Sequence, residues 1–281
     1  MGHSPREHPL TAAPAAIIPD GLDATLVLVR HGESTFIVEG RFQGQAETPL
    51  SPIGHRQAEM VGSRLAHAQD APALPIPDRP PAEIVHSPLQ RTTQTVDAIE
   101  RAMQDAGTLV RRRADPGFLE IAQGEWEGLH RSEIDARYAA ELAAWRRQPL
   151  TAWAPAGESL PEVQARVGPA LADVLARLAE GQQPGSPDRP QVAGYRDTPA
   201  DHPWSIVVGH DGVFKVSLLT LFDIPLARFW MWSTDLCGIS VIELRAGRPV
   251  LRAHNLTAHL AGLLDEQAQE ELEERSRSGA L

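Results

Sequence analysis

Two apolar runs of the same form dominate the pattern of this chain. Thr25-Leu-Val-Leu-Val29 is an unbroken stretch of β-branched and aliphatic residues that stops at Arg30, His31 and Gly32. Trp204-Ser-Ile-Val-Val208 stops in the same way at Gly209 and His210. Each reads as a buried strand that delivers its last residues into a loop. Elsewhere the period lengthens. Val163, Val167, Leu171, Val174, Leu175 and Leu178 recur on one face of a helix. Ser159-Leu-Pro-Glu162, just in front, has the spacing at which Ser and Glu cap each other's orphan backbone donors. Ser51-Pro52 and Ser87-Pro88 each set an N-cap serine before a proline at the first helical position. They predict helices over 51–68 and 87–103, and 213–222 reads as a further helix.

Shorter signals fill the gaps. Glu83-Ile-Val-His86 follows a proline-rich connector and reads as a strand, and Leu109-Val110 with the arginines behind it predicts another. Residues 237–244 and 249–254 read as late strands, paired as a hairpin turned at Ala246-Gly247. Strands alternating with helices predict an α/β fold: a three-layer sandwich with a mostly parallel central sheet and helices on both faces. Residues 1–22, rich in Pro and Ala, predict a disordered or loosely attached leader. Residues 23–262 form a single domain in this reading, with a long surface insertion over 181–203. An acidic tail follows over 263–281.

Composition removes several function classes. A chain of 281 residues can bury a substantial core, and 42% hydrophobic content is ordinary for a globular protein. No apolar stretch approaches the roughly 20 residues that span a bilayer, and no secretory signal is expected. Cys237 is the only cysteine, which excludes an intramolecular disulfide and a multi-thiolate metal site. A cytoplasmic protein is expected. The net charge of −11 argues against a nucleic-acid binder. It leaves room for a small phosphorylated substrate, because a local arginine cluster can focus positive potential inside an acidic protein. No histidine pair has a metal-binding helical spacing. Apolar edge strands are compatible with a homodimer.

Open α/β sheets bind ligands at the carboxyl ends of their strands. If the strands ending in His31 and His210 are neighbours, both rings emerge at the same edge, and Arg30 and a helix-borne Arg91 reach the same crevice. Such a cluster is costly unless an anion neutralises it.

Four segments then occur in order. They are Leu28-Val-Arg30-His31-Gly32-Glu33-Ser34 (with Gly40-Arg41-Phe-Gln-Gly44), Ser87-Pro-Leu-Gln-Arg91-Thr92, Leu119-Glu120 followed by Gly124-Glu-Trp126-Glu-Gly128, and Gly209-His210-Asp211-Gly212. Together they resemble the histidine phosphatase superfamily, in its phosphoglycerate mutase-like branch, from about Leu26 to Leu260. The resemblance implies that His31 is a nucleophile forming a phosphohistidine. It implies that Arg30, Arg91 and His210 hold the phosphoryl oxygens, and that Glu120 is the acid and then the base. Ser34 and Arg41 join the substrate-binding set, Arg41 toward the distal group, with a surface salt bridge weighed equally for it. No metal or cofactor is implied.

One position departs from the pattern. Many relatives carry an asparagine three residues after the motif's Ser or Thr, and this chain has Ile37 there. A donor lost from a charged oxygen weakens binding by roughly 1.5–3 kcal/mol. The short segment from Glu120 to Gly128 is of the phosphatase form, which implies hydrolysis of a phosphomonoester. The alternatives are a mutase-type phosphotransferase and a non-catalytic phosphate-binding regulator. Trp145, Trp153, Trp230 and Trp232, with Phe36 and Phe42, are candidates for an apolar entrance suited to a bulky leaving group.

Overall fold

The computed structural model describes residues 17–182, 202–263 and 266. Six strands form one sheet: β1 (Ala24–Arg30), β2 (Ile84–His86), β3 (Arg112–Ala114), β4 (Trp204–Gly209), β5 (Ile239–Arg245) and β6 (Arg248–Leu256). Their order is β3-β2-β4-β1-β5-β6. The first four run parallel, and β5 and β6 pair antiparallel at one side. The helices are α1 (Thr35–Val38), α2 (Pro52–Ala66), α3 (Gln90–Asp105), α4 (Arg131–Arg137), α5 (Ala139–Arg147), α6 (Leu160–Glu180) and α7 (Asp211–Leu221).

The unbroken apolar run of β1 is explained by burial on both faces. Leu26 and Leu28 point into a core shared with Val163, Val167 and Leu171 of α6 and Val216 and Leu219 of α7. Val27 and Val29 point into a second core with Val61 and Leu65 of α2 and Val96 and Ile99 of α3. This is the expected three-layer sandwich, since period-two alternation sends neighbouring side chains to opposite layers. Among the described residues no helix is long and apolar enough to cross a membrane.

The two strands ending in histidine are indeed neighbours. β1 pairs with β4 from Thr25↔Trp204 to Arg30↔Gly209, and the His31 amide donates to the Gly209 carbonyl at 3.0 Å. The late hairpin turns at Ala246 (φ 48°) and Gly247 (φ 78°), two left-handed residues as a tight antiparallel connection requires. The Ser159–Glu162 capping box also forms, and α2 starts at Pro52 with Ser51 as its cap.

Several expectations are corrected. The strand expected from Leu109-Val110 and the arginines behind it forms only over its arginine end, Arg112–Ala114, and Leu109 stands in solvent. Ser87 does not cap the following helix, which begins at Gln90 with Leu89 at the cap position, because the Ser87 hydroxyl is bonded to His210. The end of the expected leader is packed: Leu22 is buried, and Ile17 and Ile18 lie against the α6–α7 core. Residues 1–16, 183–201 and the tail beyond 263 lie outside the described residues, apart from Glu266, which pairs with Arg56 at 2.5 Å.

Candidate active site

β1 and β4 end side by side, so His31 and His210 meet at the carboxyl edge of the sheet. Their ring centroids are 5.0 Å apart at an interplanar angle of 63°. Both are almost fully buried, at 2% and 0% exposure. The His31 Nδ1 lies 2.6 Å from the Gly32 carbonyl oxygen. A carbonyl only accepts, so Nδ1 carries the proton and Nε2 keeps its lone pair. Burial, then the charges of Arg91 and Arg30, push the His31 pKa well below the ordinary imidazole value. His210 is lowered as well, chiefly by burial and then by Arg91, His31 and Arg30. Both rings are therefore neutral at neutral pH.

The loop behind His31 is held at every step. The Gly32 amide donates to Thr95 Oγ1 at 3.1 Å, and the Glu33 amide donates to Gln57 Oε1 at 2.8 Å. The Glu33 carboxylate accepts from the Ser51 hydroxyl at 2.6 Å, so this acid has a structural task. Gly32 is needed for close approach, because a Cβ there would sit 2.5 Å from the Gly54 carbonyl oxygen.

Arg91 is buried at the start of α3. Its Nη1 and Nη2 donate to the carbonyls of Ala46 (2.9 Å) and Gly44 (2.7 Å). Arg30 Nη1 donates to the Thr234 carbonyl at 2.6 Å. Three polar atoms of the cluster remain buried without a partner among the described residues: Arg30 Nε, Arg91 Nε and His210 Nδ1. Buried donors without partners are costly, and an oxyanion among them would satisfy all three. The other His210 nitrogen, Nε2, lies 2.8 Å from the Ser87 hydroxyl.

Glu120 reaches the same corner from the loop after β3. Its carboxylate accepts from the amides of Ile121 (2.9 Å), Gly212 (3.1 Å) and Val213 (3.0 Å). The last two belong to the first turn of α7, which starts directly after His210, so helix N-terminal donors hold the carboxylate beside the second histidine. Arg166 of α6 pins this loop by donating to the carbonyls of Gly117, Leu119 and Glu120, while its Nε and Nη2 each meet Glu158 at 2.8 Å. Sequence reasoning missed Arg166. The available signal was an arginine beside the buried Val163 and Val167 face of α6.

Other expected members already have protein partners. Arg41 Nε pairs with Glu39 at 2.7 Å, the surface salt bridge weighed for it, and its Nη1 donates to the Gly128 carbonyl at 2.8 Å, with the side chain partly exposed. The Ser34 hydroxyl donates to Gln43 Oε1 at 2.6 Å and caps α1. Ile37 contributes its amide to that cap, and the neighbouring Thr35 hydroxyl is bonded to Thr48 at 2.9 Å. Asp211, directly after His210, is neutralised by Lys215 at 2.6 Å and accepts from the Thr234 hydroxyl at 2.7 Å. Glu127 accepts from the amides of Gln45 and Gln123, a structural bond.

A cavity of about 100 Å³ opens beside Glu120, Asp211 and Gly212. Of the expected aromatic entrance, Trp145, Trp153 and Trp230 line it, and Trp126 and Phe229 join them. Trp232, Phe36 and Phe42 do not line it. Trp232 meets His254 edge-on at 5.2 Å, and Phe42 packs edge-on against Trp126 at 5.8 Å.

The sequence pattern described as the histidine phosphatase superfamily (branch 1) matches residues 26–183 and 191–257 of this chain. The chain belongs to that superfamily. Among its relatives is a glucosyl-3-phosphoglycerate phosphatase of Mycobacterium tuberculosis, 32% identical over 205 residues, covering 73% of this chain and 78% of the relative. Another is phosphoserine phosphatase 1 of Hydrogenobacter thermophilus, 28% identical over 239 residues, covering 84% and 93%. Among solved structures, a mycobacterial glucosyl-3-phosphoglycerate phosphatase in complex with VO3 superposes with a TM-score of 0.62 at 26% identity. That match covers 83% of this chain and 99% of the other.

Proposed function

We propose that this member of the superfamily is a phosphomonoester hydrolase that works through a phosphohistidine on His31, with a small phosphorylated metabolite as substrate. The observation that carries the reading is the His31 tautomer. With Nδ1–H held by the Gly32 carbonyl, the neutral ring presents Nε2 as a lone-pair nucleophile beside three unpartnered polar atoms.

In this mechanism Arg30, Arg91 and His210 receive the phosphoryl oxygens and stabilise charge as the phosphorus passes from leaving oxygen to nitrogen. Nε2 forms the N–P bond while the ester P–O bond breaks. Glu120 gives its proton to the departing alkoxide. Water then attacks the phosphohistidine, Glu120 takes a proton from it, and inorganic phosphate leaves with His31 neutral again. The charge that a metal supplies in other phosphoryl transfers comes here from guanidinium groups. The Ser87 hydroxyl on Nε2 of His210 leaves Nδ1 as the atom that faces the anion. We place the reaction in the cytoplasm, away from nucleic acid and membranes, in keeping with a single cysteine and a net charge of −11.

The test is an alkaline quench with phosphorus-labelled p-nitrophenyl phosphate, since phosphohistidine is acid-labile. Label should appear on His31 and disappear with turnover in His31→Ala. Turnover that survives His31→Ala would end this reading.

A further inference from the structure

The aromatic cavity shares Glu120, Asp211 and Gly212 with the site. Glu120 is the group assigned to protonate the leaving oxygen, so the cavity lies where the alcohol half of a substrate must sit. Trp145, Phe229 and Trp230 form a mutually packed wall, with centroid separations of 5.4, 5.5 and 4.8 Å. Lys215 backs this wall at 5.4 Å from the Phe229 ring and 5.2 Å from the Trp230 ring, while its charge is neutralised by Asp211. Trp153 and Trp230 are 41% and 46% exposed, so this end opens to solvent.

The chemistry of the lining is selective in two ways. Its charged members are all carboxylates: Glu120, Glu158 and Asp211. The cations that pair with two of them, Arg166 and Lys215, lie outside the lining and are already matched. A leaving group that carries its own carboxylate would be desolvated there with no unmatched cation to meet it among the described residues. The second feature is polar. The Trp126 indole N–H and the Gln123 amide oxygen are buried without a partner, one donor and one acceptor on adjacent stretches of the lining. A hydroxyl-bearing ring carries groups that can accept from the one and donate to the other. Flat aromatic walls suit a ring laid face-on. A cavity of roughly 150 Å³ holds a benzene ring, so a space of about 100 Å³ open at its rim takes one ring and not two.

We infer that this cavity is a leaving-group subsite for an uncharged, hydroxyl-bearing ring, making the substrate class sugar phosphomonoesters rather than phosphorylated hydroxy acids. The inference rests on the phosphatase reading and adds the alcohol half of the substrate.

Its test compares primary alkyl esters of similar intrinsic reactivity: glucose 6-phosphate, benzyl phosphate, glycerol 3-phosphate and 3-phosphoglycerate. Stacking and hydroxyl pairing should give glucose 6-phosphate a kcat/KM about tenfold above glycerol 3-phosphate. Rejection of an unpaired buried carboxylate should put 3-phosphoglycerate about a hundredfold lower than the sugar ester. Trp230→Ala and Trp153→Ala, both at the exposed rim, should each narrow the ratio of glucose 6-phosphate to glycerol 3-phosphate, with melting curves confirming that the variants fold. Three outcomes overturn the inference: 3-phosphoglycerate turned over as well as glucose 6-phosphate, benzyl phosphate preferred over the sugar ester, or a ratio unmoved in both folded variants. Phosphate release from none of the esters would instead remove the phosphatase reading, and the inference with it.

Discussion

The phosphate end of the site and its leaving-group end are held in place by opposite means. Around His31 every position is fixed by a hydrogen bond to backbone or to a buried side chain: Gly32 to Thr95, Glu33 to Gln57, and Arg91 to the carbonyls of Gly44 and Ala46. Around the cavity, three rings hold one another by edge contacts and two tryptophans stand partly in solvent. Hydrogen bonds are directional and place charge to within a fraction of an ångström, which a transferring phosphoryl group demands. Ring packing tolerates variation in the shape of its guest. The difference teaches where this fold can vary without losing its reaction. The chemistry is locked into strand ends and a helix N-terminus, whereas choice of alcohol is left to a wall of side chains.

The hinge between the two regions is the pairing of Glu120 with Gly212 and Val213, so breaking it gives the largest separable effect. Glu120→Gln should lower kcat by about 10²–10⁴-fold for alkyl esters, whose alcohols need a proton to leave. Aryl esters such as p-nitrophenyl phosphate should lose far less. Equal losses on both, measured by phosphate release, would show that Glu120 is not the acid. A milder break is Gly212→Ala. A Cβ there would lie 2.6 Å from the Glu120 carboxylate and 2.7 Å from Ile121 Cδ1, so the acid must shift. Misplacement on that scale costs about 10- to 100-fold in kcat. The same variant should leave the yield of labelled phosphohistidine from p-nitrophenyl phosphate largely intact, because the nucleophile sits on the other strand.

The two regions also differ in how far the sequence disclosed them. The phosphate end was legible because its parts are local words: a buried run stopping at His31, another at His210, and strand neighbourhood following from the alternation of elements. Ser87 shows the limit. Beside Pro88 it has the signature of an N-cap, but His210, 123 residues away, claims its hydroxyl, and a tertiary bond overrides a local one. Arg41 lies inside a conspicuous motif that left substrate contact and a surface salt bridge equally open, and the ion pair with Glu39, two residues away, bears out the salt bridge. The cavity wall was half legible. Candidate tryptophans could be named, but whether Trp230 or Trp232 faces inward depends on a kinked 3₁₀ segment over Leu226–Met231, where no simple period applies. The partners that fix Glu120, namely Arg166 and the first amides of α7, come from elements that meet only in the folded layers.

The smallest effect sharpens the comparison through pH. His31 and His210 are buried with folded pKa values well below the unfolded imidazole value, and partly buried His259 is lowered to about 4. Below about pH 6.5 the unfolded chain therefore binds protons that the folded chain refuses. Stability is complete above that pH and is lost as the pH falls toward the folded pKa values, by at most about 1.4 kcal/mol per pH unit for each histidine. Thermal melts at pH 7.5, 6.5 and 5.5 should show Tm falling over this window. His210→Gln should flatten the fall, because it removes one proton acceptor of the unfolded state. Trp230→Ala should shift the whole curve without changing its slope, since the ring wall contains no group that titrates there. Inorganic phosphate at a hundredfold excess over its Kd should raise stability by about 2.7 kcal/mol. That gain should persist in Trp230→Ala if the anion lies among Arg30, Arg91 and the two histidines rather than in the cavity. A phosphate-induced rise that vanished with Trp230 would join the two regions into one site and undo the division of labour between them.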